Sequence, residues 1–460
     1  MTLASFNRAR AGAAAAALLA AVSLPFTRGA LAQTAAASTD DEVASDHLID
    51  LAAALRLAGA QNLDIQVARE RLAEAQALHQ SALLRFFPWV RAGFAYTRHD
   101  GQIQATEGEI LTVSRQAYAP GTTLTGQWEL GEAIYERLAA KQREHAAAHA
   151  LAAQRQDAVV AAARDYFDLA FAQAAVGVAR EGVRISTSYE TQVRSAVEAG
   201  IAFKGDALRV AVQAERNRLA LRQRAEQQRV AAARLAQTLH LDPALGLVAR
   251  DADLVPLTLL ETTAGVNSLV QQALRARPEL KQREALLEAA RESTNAAVYG
   301  PLIPSVGAQA FGGGMGGGRN GDTGDFGPRE DYFVGVGWRI GPGGVFDFPR
   351  QRAAKARLSS AEIGTEKIHD EVVREVVEAS TRTQSQSDQI VTARRALSVA
   401  EEGLRLAQQR QEFGVGIVLE NIRAEEDLTR ARSDYLKAIA EFNRAQYELS
   451  RAVGKLAGSP

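Results

Sequence analysis

The sequence predicts a mainly α-helical chain in which long coiled-coil helical hairpins and four β-strands are laid out as a duplicated repeat. Three observations carry this. The first is a change of hydrophobic period inside Asp331–Arg357, where Tyr332, Val334, Val336, Trp338 and Ile340 are apolar at every second position. With Phe333, Gly335, Gly337 and Arg339 between them, this is the pattern of a strand with two different faces. Beyond Gly341-Pro342-Gly343-Gly344 and a turn ending at Pro349, a polar, alanine-rich segment runs to about Phe413. It reads as one helix of roughly 60 residues, on the order of 90 Å long, where three turns are usual. The second is a positional repeat: Pro88-Trp89-Val90 answers Pro304-Ser305-Val306 at an offset of 216, Leu63 answers Leu280 at 217, and Gly200 answers Gly414 at 214. The third is an export signal followed by no apolar run long enough for a membrane helix.

The 460 residues carry a net charge of −1, with 47% hydrophobic and 23% charged residues, which excludes disorder. Acidic and basic residues alternate along helical faces and no Lys/Arg cluster is interleaved with aromatics, so nucleic acid is not an expected partner. There is no cysteine, which rules out disulfides, zinc–cysteine sites, thiol catalysis and a lipidated cysteine anchor.

Taken in order, Arg8 and Arg10 precede an apolar run from Ala11 to about Phe26, and Ala30-Leu31-Ala32 gives a small-x-small cleavage site before Gln33. Residues 1–32 therefore read as a signal peptide and 33–46 as a flexible lead-in. The best later apolar run, from Val159, is interrupted by Arg164, Asp165 and Asp168, so a mature chain that crosses a membrane does so by strands.

The first repeat occupies 47–240. A helix runs from His47, with an irregularity at Gly59, to about Phe86, and Pro88 stops it. Trp89–Arg98 is a strand with Val90, Ala92, Phe94 and Tyr96 on one face; His99–Gly121 reads as an exposed loop; Thr122–Leu130 is a second strand with Leu124, Gly126, Trp128 and Leu130 on one face. Helices then run from Glu132 to Ala199 and, after a reversal at Gly200, from Asp206 to Leu239. Residues 241–265, with Pro243 and Pro256, read as a connector.

The second repeat, 266–455, restates the plan. A helix marked by Val270, Leu274, Leu280, Leu286 and Leu287 stops near Pro301 and Pro304, Ser305–Phe311 is strand-like, and Gly312–Glu330 reads as a glycine-rich loop before the strand and long helix described first. In the last helix Leu428, Ala431, Tyr435, Ala438, Phe442, Ala445, Leu449 and Ala452 form a heptad seam, and 456–460 is a tail. The alanines permit close approach of helices laid side by side.

Catalytic and metal readings find little support. His145 and His149 stand one turn apart beside Glu144, but a third ligand is missing and a solvated helix face is the better reading. The glycines of Gly312–Gly318 lack the following Lys-Ser/Thr of a phosphate loop. Glu425-Glu426-Asp427 lie on a coiled-coil helix whose seam is already accounted for. No enzyme, cofactor or metal is expected.

Four short strands cannot close a barrel that holds water, and open strand edges are not tolerated in lipid, so other copies of the chain must complete the sheet. The export signal, the duplication, Pro88-Trp89-Val90 and Pro304-Ser305-Val306 after their helices, Val334 to Ile340, and the Tyr435–Gly454 segment with Phe442-Asn443-Arg444-Ala445 together resemble the TolC-type outer-membrane efflux family. The resemblance implies a homotrimer in the outer membrane of a Gram-negative bacterium, with a transmembrane β-barrel of twelve strands continuous with an α-helical tunnel through the periplasm. It also implies a duct for efflux or secretion, working with an inner-membrane pump and a periplasmic adaptor. Drug, metal, small-molecule and protein cargo stay open. An exported soluble coiled-coil scaffold is the alternative; it explains the helices but not the strands.

By the same resemblance, Ala199, Gly200 and Ile201, with Phe413, Gly414 and Val415, are the hairpin tips where the adaptor docks; both glycines also read simply as helix caps. Aligning Gly414 and Ala424 places Glu420 and Arg423 where well-known members carry two aspartates at the tunnel constriction. One carboxylate is kept and the other is reversed in sign, so the two could neutralise the ring or form an ordinary surface pair. Asp206 and Arg209 offer the same pairing at the first tip, as candidate latch residues. Tyr332, Val334, Val336, Trp338 and Ile340 would face lipid, with Phe333 an apolar exception on the lumen side.

Overall fold

The computed structural model describes residues 47–250, 253–260, 265–319, 324–413 and 416–456. The signal peptide, the lead-in, Gly414, Val415 and the end of the tail lie outside the described residues.

The helices follow the expected order with sharper boundaries. In the first repeat α1 (Leu51–Gln61) and α2 (Leu63–Leu84) precede α3 (Leu130–Glu198) and α4 (Lys204–Thr238). In the second, α5 (Val266–Ala276) and α6 (Pro278–Val298) precede α7 (Phe348–Glu412) and α8 (Val418–Ala452). Corresponding helices have nearly equal lengths: 11 and 11, 22 and 21, 69 and 65, 35 and 35 residues. The first break falls at Asn62 and not at Gly59, because the Asn62 side chain caps α2, accepting from Asp64 N at 2.9 Å and Ile65 N at 3.2 Å. Its counterpart is set by Pro278, which starts α6 at a position where proline's missing N–H costs nothing.

The described residues form six strands rather than four. Two are short: β1 (His47–Ile49) and β4 (Leu247–Ala249) pair in parallel, so the connector contains a strand. The other four, β2 (Trp89–Gln104), β3 (Ile110–Trp128), β5 (Ser305–Arg319) and β6 (Gly327–Gly337), form one antiparallel sheet in the order β2-β3-β5-β6. The expected loops at His99–Gly121 and Gly312–Glu330 are therefore largely strand. Residues 99–104 pair with 110–115, and Gly312–Gly314 pair with Pro328–Glu330. Leu130 begins α3 instead of ending β3, while Trp338 and Ile340 lie past the end of β6.

The core sits where α1, α3, α4 and the short sheet meet. Tyr166, Leu169, Leu235 and Leu239 are buried there with Ile49, Leu247 and Ala249, and Phe167 packs edge-on to Tyr166 at 5.7 Å. A second cluster joins α5, α6, α7 and α8 through Leu269, Leu280, Val372, Val376, Leu449 and Val453. The connector is strapped to α8 by amide side chains: Asn443 accepts from Leu257 N at 2.8 Å and donates to Val255 O at 2.9 Å, and Gln446 accepts from Leu259 N and Leu260 N at 3.1 Å. These bonds give Asn443, in the segment that carried the family resemblance, a physical role.

Candidate functional site

The four-stranded sheet has one apolar face that continues across every strand. Direct cross-strand partners share a face, and the register links Val90 to Leu124, Leu124 to Ala310, and Ala310 to Tyr332. Phe94, Tyr118, Val306, Val334 and Val336 fall on the same side by alternation. Among the described residues nothing covers this face on β6: Tyr332 is 76% exposed, Val334 74% and Val336 63%. The opposite face carries Arg91, Thr123, Gln309, Arg329 and Asp331, which line a concave hollow with Phe311 and Phe333. Along β2 the apolar side spans Val90 to Tyr96, about 20 Å at a strand's rise. Beyond it the same side turns polar with Arg98, Asp100 and Ser114, bonded to one another through Asp100. Among the described residues the edges β2 and β6 have a strand on one side only.

Below the sheet the two strand-to-helix joints of the chain are tied together. Arg339 reaches Glu129 at 2.7 Å and Arg350 reaches Glu132 at 2.8 Å, so the basic residues of one joint meet the acidic residues of the other. Asp347 caps α7, accepting from Arg350 N at 3.1 Å and from Gly343 N at 2.8 Å. Each joint is also held by an indole. Trp128 donates to Phe86 O at 2.8 Å and Trp338 donates to Leu302 O at 3.1 Å, each carbonyl lying two residues before the proline that opens its repeat's first sheet strand. Replacing Trp128 by phenylalanine strands the Phe86 carbonyl, and we expect a loss of about 1 kcal/mol, readable as a lower midpoint in thermal unfolding followed by circular dichroism.

At the other end of the helices, Gly200 reverses the chain with φ +75°, a conformation that favours glycine. Ala199 and Gly200 donate to Ser195 O and Val197 O, both at 3.0 Å, and Ile201 donates to Ala196 O at 2.8 Å, closing the end of α3. Ile201 is 83% exposed and Phe413 81%, with Phe203 and Ile417 exposed beside them. Asp206 and Arg209 bond to each other within α4 at 3.0 Å. Glu420 pairs with Arg410 across the α7–α8 turn at 3.4 Å, while Arg423 is exposed on α8. Both line a groove between α7 and α8 with Leu419 and Asp427. Glu144, beside the two histidines considered above, pairs with His79 of α2 at 2.7 Å.

Residues 269–455 match the family model described as outer membrane efflux protein. The match runs through the second repeat, from α5 to the end of α8. No curated protein sequence matches the chain. By fold the chain is similar to the outer-membrane channel OprN, with TM-score 0.73 and 21% identity, over 88% of this chain and 89% of that one. It is also similar to the Campylobacter jejuni CmeC outer membrane channel (0.76, 15%, 88% and 85%) and to the outer membrane protein VceC from Vibrio cholerae (0.73, 17%, 88% and 96%). At these identities the likeness shows the fold. The resemblance to TolC-type efflux channels drawn from the sequence is upheld by both comparisons, and the family is one of channels rather than enzymes.

Proposed function

We propose that this efflux-family chain assembles as a homotrimer, its sheets joined edge to edge into a β-barrel in the outer membrane and its helical hairpins forming a tunnel into the periplasm. One observation carries the reading: a sheet with an exposed apolar face and, among the described residues, two unpaired edges. Such a surface is stable only against lipid and against further strands. The concave, charged face then lines the lumen. The domain division at 240 and 266 separates two repeats that contribute equivalent parts to the wall. The tips carry exposed apolar side chains suited to a periplasmic adaptor, which would link the duct to an inner-membrane pump. Fractionation tests this: the protein should be extracted from membranes by detergent, and recovery in the osmotic-shock fluid instead would return the reading to a soluble scaffold.

Glu420 and Arg423 are the proposed constriction. With Glu420 partly neutralised by Arg410 and Arg423 adding a positive charge, the ring is less cation-selective than one of carboxylates alone. Arg423→Asp should raise the cation preference of the channel in planar bilayers. An unchanged reversal potential under a salt gradient would show that the pair does not line the narrow point.

A further inference from the structure

Close to the hairpin tips α8 is seated on α3 and α4 through Val193, Val210 and Ile422. One turn further along α8 the same contact buries a carboxylate, with Glu425 only 4% exposed. Its Oε1 accepts from Asn217 Nδ2 of α4 at 3.1 Å, and that amide also reaches Gly182 O of α3 at 3.3 Å. Glu425 opens onto a cavity of about 440 Å³ between α3, α7 and α8, which Asn421, Tyr189 and Gln411 also line. Asn421 stands one helical turn before Glu425 on the same face of α8. Its Oδ1 is buried and accepts no hydrogen bond among the described residues.

The charged groups around the site are engaged elsewhere or share its sign. Arg184 of α3 faces the cavity but is bound to Glu181 at 2.7 and 2.6 Å. Glu190 of α3 is held by Arg194 at 2.6 Å and lies 3.7 Å from Arg218 of α4, while Asp206 of α4 holds Arg209. Glu412 of α7 adds another carboxylate to the lining, and Glu426 on α8 itself raises the cost of charging its neighbour. Burial of the Tyr189 phenol pushes it up to about 12, so it stays neutral. Burial likewise pushes the Glu425 carboxyl from 4.5 up to about 7, with the Asn217 hydrogen bond acting against that shift and Glu426 adding to it.

We propose that Glu425 is a proton-operated lock that fastens α8 to the α3–α4 hairpin. In the neutral form the carboxyl keeps its bond from Asn217 and gains an O–H that the unpartnered Asn421 Oδ1 can accept. Ionised, it is acceptor-only, faces a second acceptor, and lacks a counter-cation in a buried setting. The sign follows from linkage: an acid whose packed-state value is raised contributes stability that is full below 4.5 and is lost as the pH rises through about 7. Periplasmic acidification would then tighten the contact and neutral or alkaline pH would loosen it. Because Glu420 and Arg423 lie within about a turn and a half of Glu425 on α8, loosening would move both. The lock stands on the fold alone, and only its link to conduction rests on the duct reading.

Hydrogen exchange of the full-length protein in detergent, corrected for the intrinsic pH dependence of amide exchange, tests the lock. Protection of amides in 418–430 should fall about tenfold between pH 6 and pH 8, while Glu425→Gln should show no such step. Asn217→Ala removes a donor to the charged form and should move the step to higher pH. Protection that is flat with pH in the unsubstituted chain, or that falls equally in Glu425→Gln, would overturn the proposal. A step in exchange without a matching change in bilayer conductance would leave the lock in place and count against the duct reading.

Discussion

Replacing Arg277 with alanine should lower stability by about 3 kcal/mol, the scale expected when one member of a buried ionic network is removed and its partners stay behind. Arg277 lies at the break between α5 and α6 with its side chain 3% exposed, 3.0 Å from Glu279 and also bonded to Glu375 of α7. Arg451 of α8 closes the network, reaching Asp157 of α3 at 2.8 Å, Glu279 at 2.9 Å and Glu375 at 3.1 Å. Three acids and two arginines thus tie α3, α6, α7 and α8 at one level. Burial raises the Glu279 carboxyl, but the hydrogen bonds and charge of Arg277, with Arg451, more than offset this and hold it below its ordinary 4.5. For an acid with a lowered folded value, the stabilisation is full above 4.5 and is lost as the pH falls through that lower value. Acid should therefore melt the unsubstituted protein toward the stability of the variant. Urea unfolding followed by helical circular dichroism measures both effects. Arg405→Ala, which removes an exposed pair with Glu402 one turn away, should leave the midpoint unchanged. Equal effects of the two substitutions would contradict the assignment.

The second large effect is expected on the sheet. Val334→Arg places a guanidinium on the apolar face, which costs about 2–4 kcal/mol near the middle of a bilayer and would be repeated in every copy of an assembly. Gln309→Arg changes a residue directly paired with Phe333 on the opposite face, where charge is already present in Arg91, Arg329 and Asp331. Outer-membrane fractions should lose assembled protein in the first variant and retain it in the second. Equal losses, or none, would mean that the even-numbered face does not meet lipid.

These two sites differ in how far the sequence announces them. The apolar face was legible, because Tyr332, Val334 and Val336 alternate with Asp331, Gly335 and Gly337, Phe333 being the one apolar exception, and β2 repeats the pattern at Val90, Phe94 and Tyr96. What failed was the reach of the strands. Past Tyr96 both faces become polar, so alternation disappears although the ladder continues through Gln104. In Gly312–Gly314 there are no side chains to alternate, and the strand is carried by backbone pairing alone. Asn62 carried a capping signal that the nearer Gly59 obscured. The ionic network was not legible, since Arg277, Glu375 and Arg451 lie far apart in the chain and each resembles any surface charge on a long helix.

In the sequence Glu425 is one of three successive acids, Glu425-Glu426-Asp427, on a helix whose heptad seam is already accounted for. The seam of α8 accounts for its packing on α7, but α8 also packs on α3, so a second stripe containing Asn421, Glu425, Asn443 and Gln446 is buried as well. Polar residues in that stripe carry no hydrophobic signal. Their role appears only when Asn217, Val255 and Leu257 are brought opposite them.

Completion of the sheet by other copies of the chain can be tested directly, because the protein contains no cysteine. Single cysteines at 93, 95 or 97 in β2 can be combined with one at 331, 333 or 335 in β6, and intact membranes treated with a short bis-maleimide. Edge-to-edge assembly predicts that at least one combination yields a covalent species of three chains and nothing larger, whereas single-cysteine controls stay at one chain. If every combination migrates as one chain in membranes that contain the protein, the sheets do not meet edge to edge and the proposed barrel is wrong.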